Sequence, residues 1–167
     1  MKKILVLLVL GFSMSGIAQE TEPVSFKKNE LKINAAYLIA DALEVSYERV
    51  LNEESAFGAS LFLPLANYID IKLMFTPYYR YYFGKKPAAG FFAEGFGMLN
   101  NYERDSPIEN SNGIDFALGF GLGGKWITKN GFIFEINGGI GRNLFNGSDI
   151  NYKIVGRGGI TFGYRFN

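Results

Sequence analysis

Three glycines in this chain have a spacing that could bind a phosphate. Gly119, Gly121 and Gly124 form the pattern GxGxxG within DFALGFGLGGKWI, residues 115–127, and nucleotide-binding loops use that spacing to approach a pyrophosphate. Such a loop lies between a strand and a helix. Here the glycines lie inside a segment in which apolar residues alternate with small or polar ones, and no helical pattern follows. We interpret them as the small face of a β-strand and expect no bound cofactor.

Carboxylates and hydroxyls could support a second chemistry, which is acid–base or nucleophilic catalysis. Glu44 and Glu48 share one face of a predicted strand, as a pair of catalytic carboxylates would. Ser46, Ser60 and Thr161 are expected on the same interior face, but none has a basic partner at a recognisable spacing. The chain has no histidine, which excludes imidazole-based triads and the commonest transition-metal ligand sets. We therefore expect neither a catalytic site nor a metal site, and interpret the two glutamates as interior charges neutralised by basic groups.

Apolar residues recur at every second position along most of the chain, which is the periodicity of strands. The predicted strands cover residues 30–40, 42–51, 56–66, 69–83, 89–102, 113–128, 132–144 and 152–167. The connections after the second, fourth and sixth strands are compact, whereas those after the fifth and seventh, residues 101–112 and 143–152, are longer and polar. An even number of alternating strands predicts either a soluble all-β fold or a membrane barrel.

The two faces of these strands differ in charge, and that difference separates the two folds. One face is continuously apolar. The other carries the glycines and the following ionisable residues: Lys32, Glu44, Glu48, Lys72, Arg80, Glu94, Asp115, Lys125, Glu135, Arg157 and Arg165. So many charges in a dry soluble core would be costly, whereas an apolar face turned to lipid is typical of a transmembrane barrel. We predict an all-β, eight-stranded antiparallel up-and-down transmembrane barrel.

Aromatic residues near the compact turns agree with a membrane location. On the outward face they are Tyr47, Tyr81, Phe83, Phe91, Trp126, Phe132, Tyr164 and Phe166. Aromatic rings with polar tips concentrate at membrane–water interfaces.

The first residues predict export. Lys2 and Lys3 precede an apolar run over residues 4–12, and small residues end at Ala18, which is the pattern of a cleavable signal peptide. The run has about half of the roughly 20 residues that a spanning helix needs. We expect a signal peptide over residues 1–18, a short periplasmic lead-in over 19–28 and a barrel over 29–167. The chain after residue 18 has 15 basic and 16 acidic residues, which gives no indication of nucleic-acid binding.

An eight-stranded barrel has an interior just wide enough for side chains to fill. Alternation predicts one bulky wall, which includes Phe62, Tyr78, Tyr82, Phe92 and Phe96, opposite a wall of glycines. This arrangement fills a narrow barrel. The same aromatic residues would line a cavity if the barrel held a small ligand.

The hairpins predict which interior charges lie opposite each other. A three-residue turn over 129–131, with Gly131 left-handed, places Lys125 opposite Glu135. Pairing Phe83 with Phe91 places Arg80 opposite Glu94. Because buried charges need partners, we expect ion pairs in the lumen among Arg80, Glu94, Lys125, Glu135, Glu44, Glu48, Arg157 and Arg165.

From about residue 29 to residue 167, the chain resembles the small eight-stranded outer-membrane barrels of the OmpA/OmpX type. The segments that carry the resemblance are LEVSYERVL, PYYRYYFG, FFAEGFG and the ending GITFGYRFN. The resemblance implies a barrel alone, without the peptidoglycan-binding domain of longer relatives. It also implies assembly by the barrel-assembly machinery, which recognises a terminal aromatic residue; here Phe166 is penultimate. The implied role is in membrane integrity or surface interaction.

Three classes of function remain open on these observations. The first, which we predict, is a non-enzymatic monomeric barrel in the outer membrane, surrounded by lipid, with a plugged and ion-paired lumen. The second is a small pore or carrier that binds a ligand against the aromatic wall. The third is an outer-membrane enzyme, but lipid deacylases and proteases of this architecture commonly use histidine, which this chain lacks.

Overall fold

The computed structural model describes residues 26–69, 71–102, 113–145 and 153–167. They form β1 (Asn29–Asn34), α1 (Ala35–Ile39), β2 (Ala42–Val50), β3 (Ser55–Pro64), β4 (Ile71–Tyr82), β5 (Gly90–Tyr102), β6 (Gly113–Ile127), β7 (Phe132–Asn143) and β8 (Ile154–Phe166). Each strand pairs antiparallel with the next, and β1 pairs with β8, so the sheet closes. The predicted eight-stranded up-and-down barrel is confirmed. The predicted signal peptide, residues 19–25 of the lead-in, and residues 103–112 and 146–152 of the polar connections lie outside the described residues.

The chain after β1 departs from the prediction. A strand was predicted over 30–40, but residues 35–39 form the short helix α1. The Asn34 side chain accepts a hydrogen bond from the Ala36 backbone N–H at 3.2 Å, which caps the helix at its first turn. The alternation of apolar residues does not by itself predict such a local helix cap.

The compact turns have the predicted geometry. Gly131 has φ +97°, and the Thr128 N–H donates to the Phe132 carbonyl at 2.9 Å. The Phe83 N–H likewise donates to the Phe91 carbonyl at 2.8 Å. These turns, the β2–β3 turn and both ends of the barrel segment lie at one end of the barrel, which we call the turn end. The opposite end, next to α1, is called the loop end.

Large apolar side chains cover the outer surface on all eight strands. Examples, one from each strand in order, are Leu31, Tyr47, Leu61, Phe75, Phe91, Phe120, Ile140 and Phe162, all exposed. The eight predicted interface aromatics are exposed as well. Within the described strands, the charged residues on this surface are Arg49, Lys72 and Arg142, and each is one residue from a strand end. The outside of the barrel is therefore an uninterrupted apolar band.

Lys72 was predicted on the interior face, and this prediction is wrong. The side chain is exposed. The pairing of β4 with β5 shifts register between Ile71 and Leu73, so the alternation that holds from Met74 onward does not extend to the first residues of β4.

Candidate functional site

Interior side chains form three layers. The loop-end layer is an apolar cluster of Ala42, Phe62, Met74, Tyr78, Phe96, Met98, Ala117 and Val155. The turn-end layer is a second apolar cluster of Val50, Ala56, Tyr82, Ala88 and Phe92. Between them lie charged side chains that we call the ionic layer: Glu30, Lys32, Glu44, Glu48, Arg80, Glu94, Lys125, Glu135, Arg157 and Arg165.

Glu48, on β2, is the centre of the ionic layer. Its side chain is fully buried and accepts hydrogen bonds from Lys32 at 2.7 Å, Arg80 at 2.8 Å, Lys125 at 2.5 Å, Tyr78 at 3.2 Å and Tyr82 at 2.7 Å. A carboxylate offers about four lone-pair positions. Glu48 is therefore saturated by donors from three other strands, β1, β4 and β6, and three of these donors carry a positive charge.

Glu135, on β7, shares two of these cations. Lys32 Nζ lies 3.0 Å from Glu135 Oε2, and Arg80 Nη1 lies 2.9 Å from the same oxygen. The Asn137 amide donates to the other oxygen at 3.1 Å. Lys32 and Arg80 therefore link two carboxylates that enter the lumen from opposite parts of the sheet.

Glu30, on β1, ties the first strand to the last. Arg165, on β8, approaches one carboxylate oxygen of Glu30 with both Nε, at 2.8 Å, and Nη2, at 2.6 Å. Lys125 Nζ lies 2.8 Å from its other oxygen. Hydrogen bonds between two ionised groups are shorter and roughly twice as strong as those between neutral groups, so Glu30 connects β8 and β6 to β1.

A chain of charges runs from Arg80 toward the loop end. Arg80 Nε donates to Glu94 Oε2 at 2.7 Å. Arg157 Nη1 lies 2.9 Å from Glu94 Oε1 and its Nη2 lies 3.8 Å from Glu44. The Arg157–Glu94 contact is an ion pair by distance, although its N–H direction does not meet hydrogen-bond geometry.

The ionic layer is electrically balanced. It contains five carboxylates and five basic groups, and each lies within 4 Å of an opposite charge. Since an unpaired ion in a dry interior is strongly destabilising, this balance allows the lumen to hold ten charges.

Aromatic rings and glycines fit against each other across neighbouring strands. A Cβ added at Gly119 would overlap the Phe96 ring, and one added at Gly123 would overlap the Phe92 ring. The Arg80 guanidinium lies 4.3 Å from the Phe92 ring centroid and 4.4 Å from that of Tyr78, which is cation–π distance. The bulky wall therefore occupies the space that the glycines leave.

The turn end is closed by the β4–β5 turn. Arg165 donates to the backbone carbonyls of Pro87 and Ala88, both at 2.8 Å, and Ala88 is fully buried with φ +44°. The guanidinium that pairs with Glu30 thus also holds this turn across the opening.

The structure places every predicted site residue inside the barrel. The ion-pair candidates Arg80, Glu94, Lys125, Glu135, Glu44, Glu48, Arg157 and Arg165 all point inward, as do Phe62, Tyr78, Tyr82, Phe92 and Phe96. Arg80 lies opposite Glu94, and Lys125 opposite Glu135, in the predicted registers. Arg80 and Glu94 form a direct pair. Lys125 and Glu135 bind other partners, because their charged ends extend across the lumen.

Two members of the ionic layer were absent from the predicted ion-pair set. Glu30 lies at the start of β1, and Lys32, although assigned to the interior face, was not given a partner. The alternation that places Lys32 inward also places Glu30 inward, so the signal was present in the sequence. Their partners, however, come from β2, β6, β7 and β8.

The glycine motif and the candidate metal-binding residues can be compared with the structure. Gly119, Gly121 and Gly124 lie within β6 and not in a strand-to-helix loop. No group of histidine, cysteine and acidic residues suited to a metal ion occurs in the described part of the chain. Among the same residues, none of the helical structure is long and apolar enough to cross a membrane.

Two tyrosines at the loop end have raised pKa values. The Tyr68 hydroxyl donates to Asp41 at 2.5 Å, and this hydrogen bond to a carboxylate raises the pKa of Tyr68. Tyr37, on α1, packs edge-on against Phe62 with centroids 5.1 Å apart. Burial, and then the nearby Glu44 carboxylate, raise the pKa of Tyr37. Both phenols are therefore neutral near pH 7.

The barrel is similar to a solved structure. The crystal structure of the N-terminal β-barrel domain of Pseudomonas aeruginosa OprF superimposes with a TM-score of 0.62 at 14% sequence identity, covering 83% of this chain and 96% of that one. The similarity to this barrel confirms the resemblance at the level of the fold. Comparison with protein-family models gives no match, and comparison with curated protein sequences gives none either.

Proposed function

We propose that the chain is a non-enzymatic integral barrel of the outer membrane, filled by its own side chains, that serves membrane integrity or interaction at the cell surface. The observation that carries the proposal is an inverted distribution of polarity. Ten charged side chains are paired inside the barrel, and an apolar band covers the outside.

The apolar band supports a lipid environment. Soluble monomers rarely expose contiguous apolar patches larger than a few hundred Å², whereas here large apolar side chains are exposed on every strand. A closed barrel also satisfies its backbone hydrogen bonds internally, as a chain within hydrocarbon must. The exposed aromatic residues at the turn end match the interfacial girdle of outer-membrane barrels.

The ionic layer supports a plugged interior. A conducting lumen needs a continuous path for water, but Tyr78, Arg80, Tyr82 and Phe92 are all nearly fully buried in its middle. Apolar clusters lie on both sides of the charges. We therefore assign the lumen a structural role, and assign interaction with partners to the outer and loop-end surfaces.

Fractionation and bilayer conductance test the proposal together. The protein should be recovered with the outer membrane, should migrate differently on a denaturing gel before and after boiling, and should conduct ions negligibly when inserted in a planar bilayer. The double variant Arg80→Ala with Glu94→Ala removes a neutral pair from the middle of the lumen and should introduce measurable conductance. Leu118→Ala, on the outer surface, is the matched control, and its conductance should remain negligible.

Two results would contradict the proposal in different ways. Recovery as a folded soluble protein without detergent would exclude the membrane barrel and favour a soluble fold. Steady conductance of the unaltered protein would mean a wet lumen, and would favour a small pore or a carrier that uses the aromatic wall.

A further inference from the structure

A groove on the outer surface at the turn end joins a basic pocket to an apolar channel. The basic part is lined by Gly84, Lys85, Lys86, Ala89, Gly90 and Trp126. The apolar part continues across β5, β6 and β7, lined by Phe91, Leu122, Gly124, Trp126, Ile136 and Gly138. The two parts share Gly90 and Trp126. We call the whole depression the β5–β7 groove.

Two outward glycines create the depth of the apolar part. A Cβ at Gly138 would have nothing within 4 Å, and one at Gly124 would meet the Trp126 ring at 2.9 Å. The indole therefore lies against the β6 backbone as part of the floor. The sides of the groove are formed by apolar side chains that are each about half exposed: Phe91, Leu122 and Ile136.

The basic part carries two lysine side chains. Lys85 and Lys86 are both exposed, and neither forms an ion pair with a residue that the structure describes. Each lysine close to an anionic membrane surface attracts it appreciably, and tryptophan prefers the level of the lipid headgroups. A ligand that fits must be anionic at one end and apolar along the rest.

We propose that the β5–β7 groove binds one anionic phospholipid of the leaflet at the turn end, with its phosphate at Lys85 and Lys86 and an acyl chain along Phe91, Leu122 and Ile136. This inference rests on the proposed membrane location. The four residue-to-residue steps from Trp126 to Leu122 span about 13 Å of strand. With strands tilted by about 40°, this length projects to roughly 10 Å along the membrane normal, which is about two thirds of the roughly 15 Å of one leaflet's hydrocarbon.

The fluorescence of Trp126 provides the test, because this is the one tryptophan in the chain. The purified protein is inserted in phosphatidylcholine nanodiscs that contain a fixed small fraction of a lipid with brominated acyl chains, which quench a neighbouring indole. The brominated lipid is either phosphatidylglycerol, which is anionic, or phosphatidylcholine. We expect brominated phosphatidylglycerol to occupy the site beside Trp126 more often than its bulk fraction, by about five-fold if one lysine engages the phosphate and by about 25-fold if both do.

Matched variants locate the selectivity. Lys85→Gln with Lys86→Gln should make the two brominated lipids quench equally. Lys27→Gln with Lys28→Gln removes the same charge from the same end of the barrel, but outside the groove lining, and should leave the preference intact. Gly138→Leu fills the apolar part and should reduce quenching by brominated phosphatidylglycerol toward that of the bulk lipid.

The outcomes separate this proposal from the one on which it rests. If neither brominated lipid quenches Trp126, the barrel is not in the bilayer and the proposed function fails. Equal quenching by both lipids in the unaltered protein leaves the membrane barrel standing and overturns the lipid site. Quenching that disappears only in discs holding two copies would show that a second barrel covers the groove, and this result also overturns the lipid site.

Discussion

Replacing Glu48 with glutamine should destabilise the barrel more than any other single neutralisation in the ionic layer. Glu48→Gln keeps the shape of the side chain but removes its charge. Lys32, Arg80 and Lys125 each lose a contact of 2.5–2.8 Å, and the balanced ionic layer gains one net positive charge. The glutamine amide N–H groups also face donors where the carboxylate presented acceptors.

The size of the effect follows from the burial of this cluster. A charge pair at roughly 3 Å gains about 5 kcal/mol at an effective dielectric constant near 20, but the desolvation cost of Glu48, which glutamine does not incur, offsets much of this gain. Breaking one side of a buried pair costs about 3–5 kcal/mol. Because three cations lose a partner together, we expect a loss in the upper half of that range.

Urea unfolding in lipid vesicles measures the free energy of unfolding directly. The control Glu53→Gln, in the exposed β2–β3 turn, should leave the free energy of unfolding unchanged. Adding Lys32→Met to Glu48→Gln restores neutrality and leaves every remaining charge with a partner, so more than half of the loss should be recovered. A loss below about 1 kcal/mol for Glu48→Gln, the range of exposed pairs, would refute the idea of a dry and tightly coupled ionic layer.

Three further changes test other parts of the structure. Leu118→Arg puts a charge on the apolar band and should lower the free energy of unfolding in vesicles by about 2–4 kcal/mol; an effect near zero would place this surface outside the bilayer. Gly119→Ala should cost about 1–3 kcal/mol by the same assay, because its Cβ would overlap a phenylalanine ring and the β7 backbone, whereas Gly95→Ala, with open space around it, should be nearly neutral. Asp41→Asn should lower the pKa of Tyr68 toward its ordinary value. The pKa shift is measured by titrating tyrosinate absorbance, with the Tyr68→Phe variant as the reference. Because the folded-state pKa is raised, any stability from this hydrogen bond is present below pH 10 and is lost as the pH rises above it.

Strand alternation and turn chemistry predict the inward face and the hairpin registers of this barrel, because both are local properties of a sheet. For Lys125 and Glu135, this local reasoning predicts the register but not the ion-pair partners. They are neighbours in the sheet, yet the Lys125 ammonium reaches Glu30 and Glu48 on the other side of the lumen. Such partners depend on how the sheet curves and closes, which no short stretch of sequence encodes.

The alternation of apolar residues also did not predict local departures from regular strands. The Asn34 cap turns an apparently strand-like segment into α1, and the register shift at Ile71 moves Lys72 to the surface. Both occur at the loop end, where strands leave the regular sheet. The outward aromatic residues at the turn end, by contrast, lie where alternation places them.

The pairing of Glu30 with Arg165 has a consequence for how the barrel is assembled. These residues are 135 positions apart, and they meet only across the seam where β1 joins β8. Until that seam forms, a carboxylate on the first strand and a guanidinium on the last lack each other, and the β4–β5 turn lacks the donor that holds it across the opening. Contacts of such long sequence separation form late in folding. A sheet inserted with its edges still apart would therefore expose charges to hydrocarbon, which makes closure of the ring and burial of the charges one cooperative event.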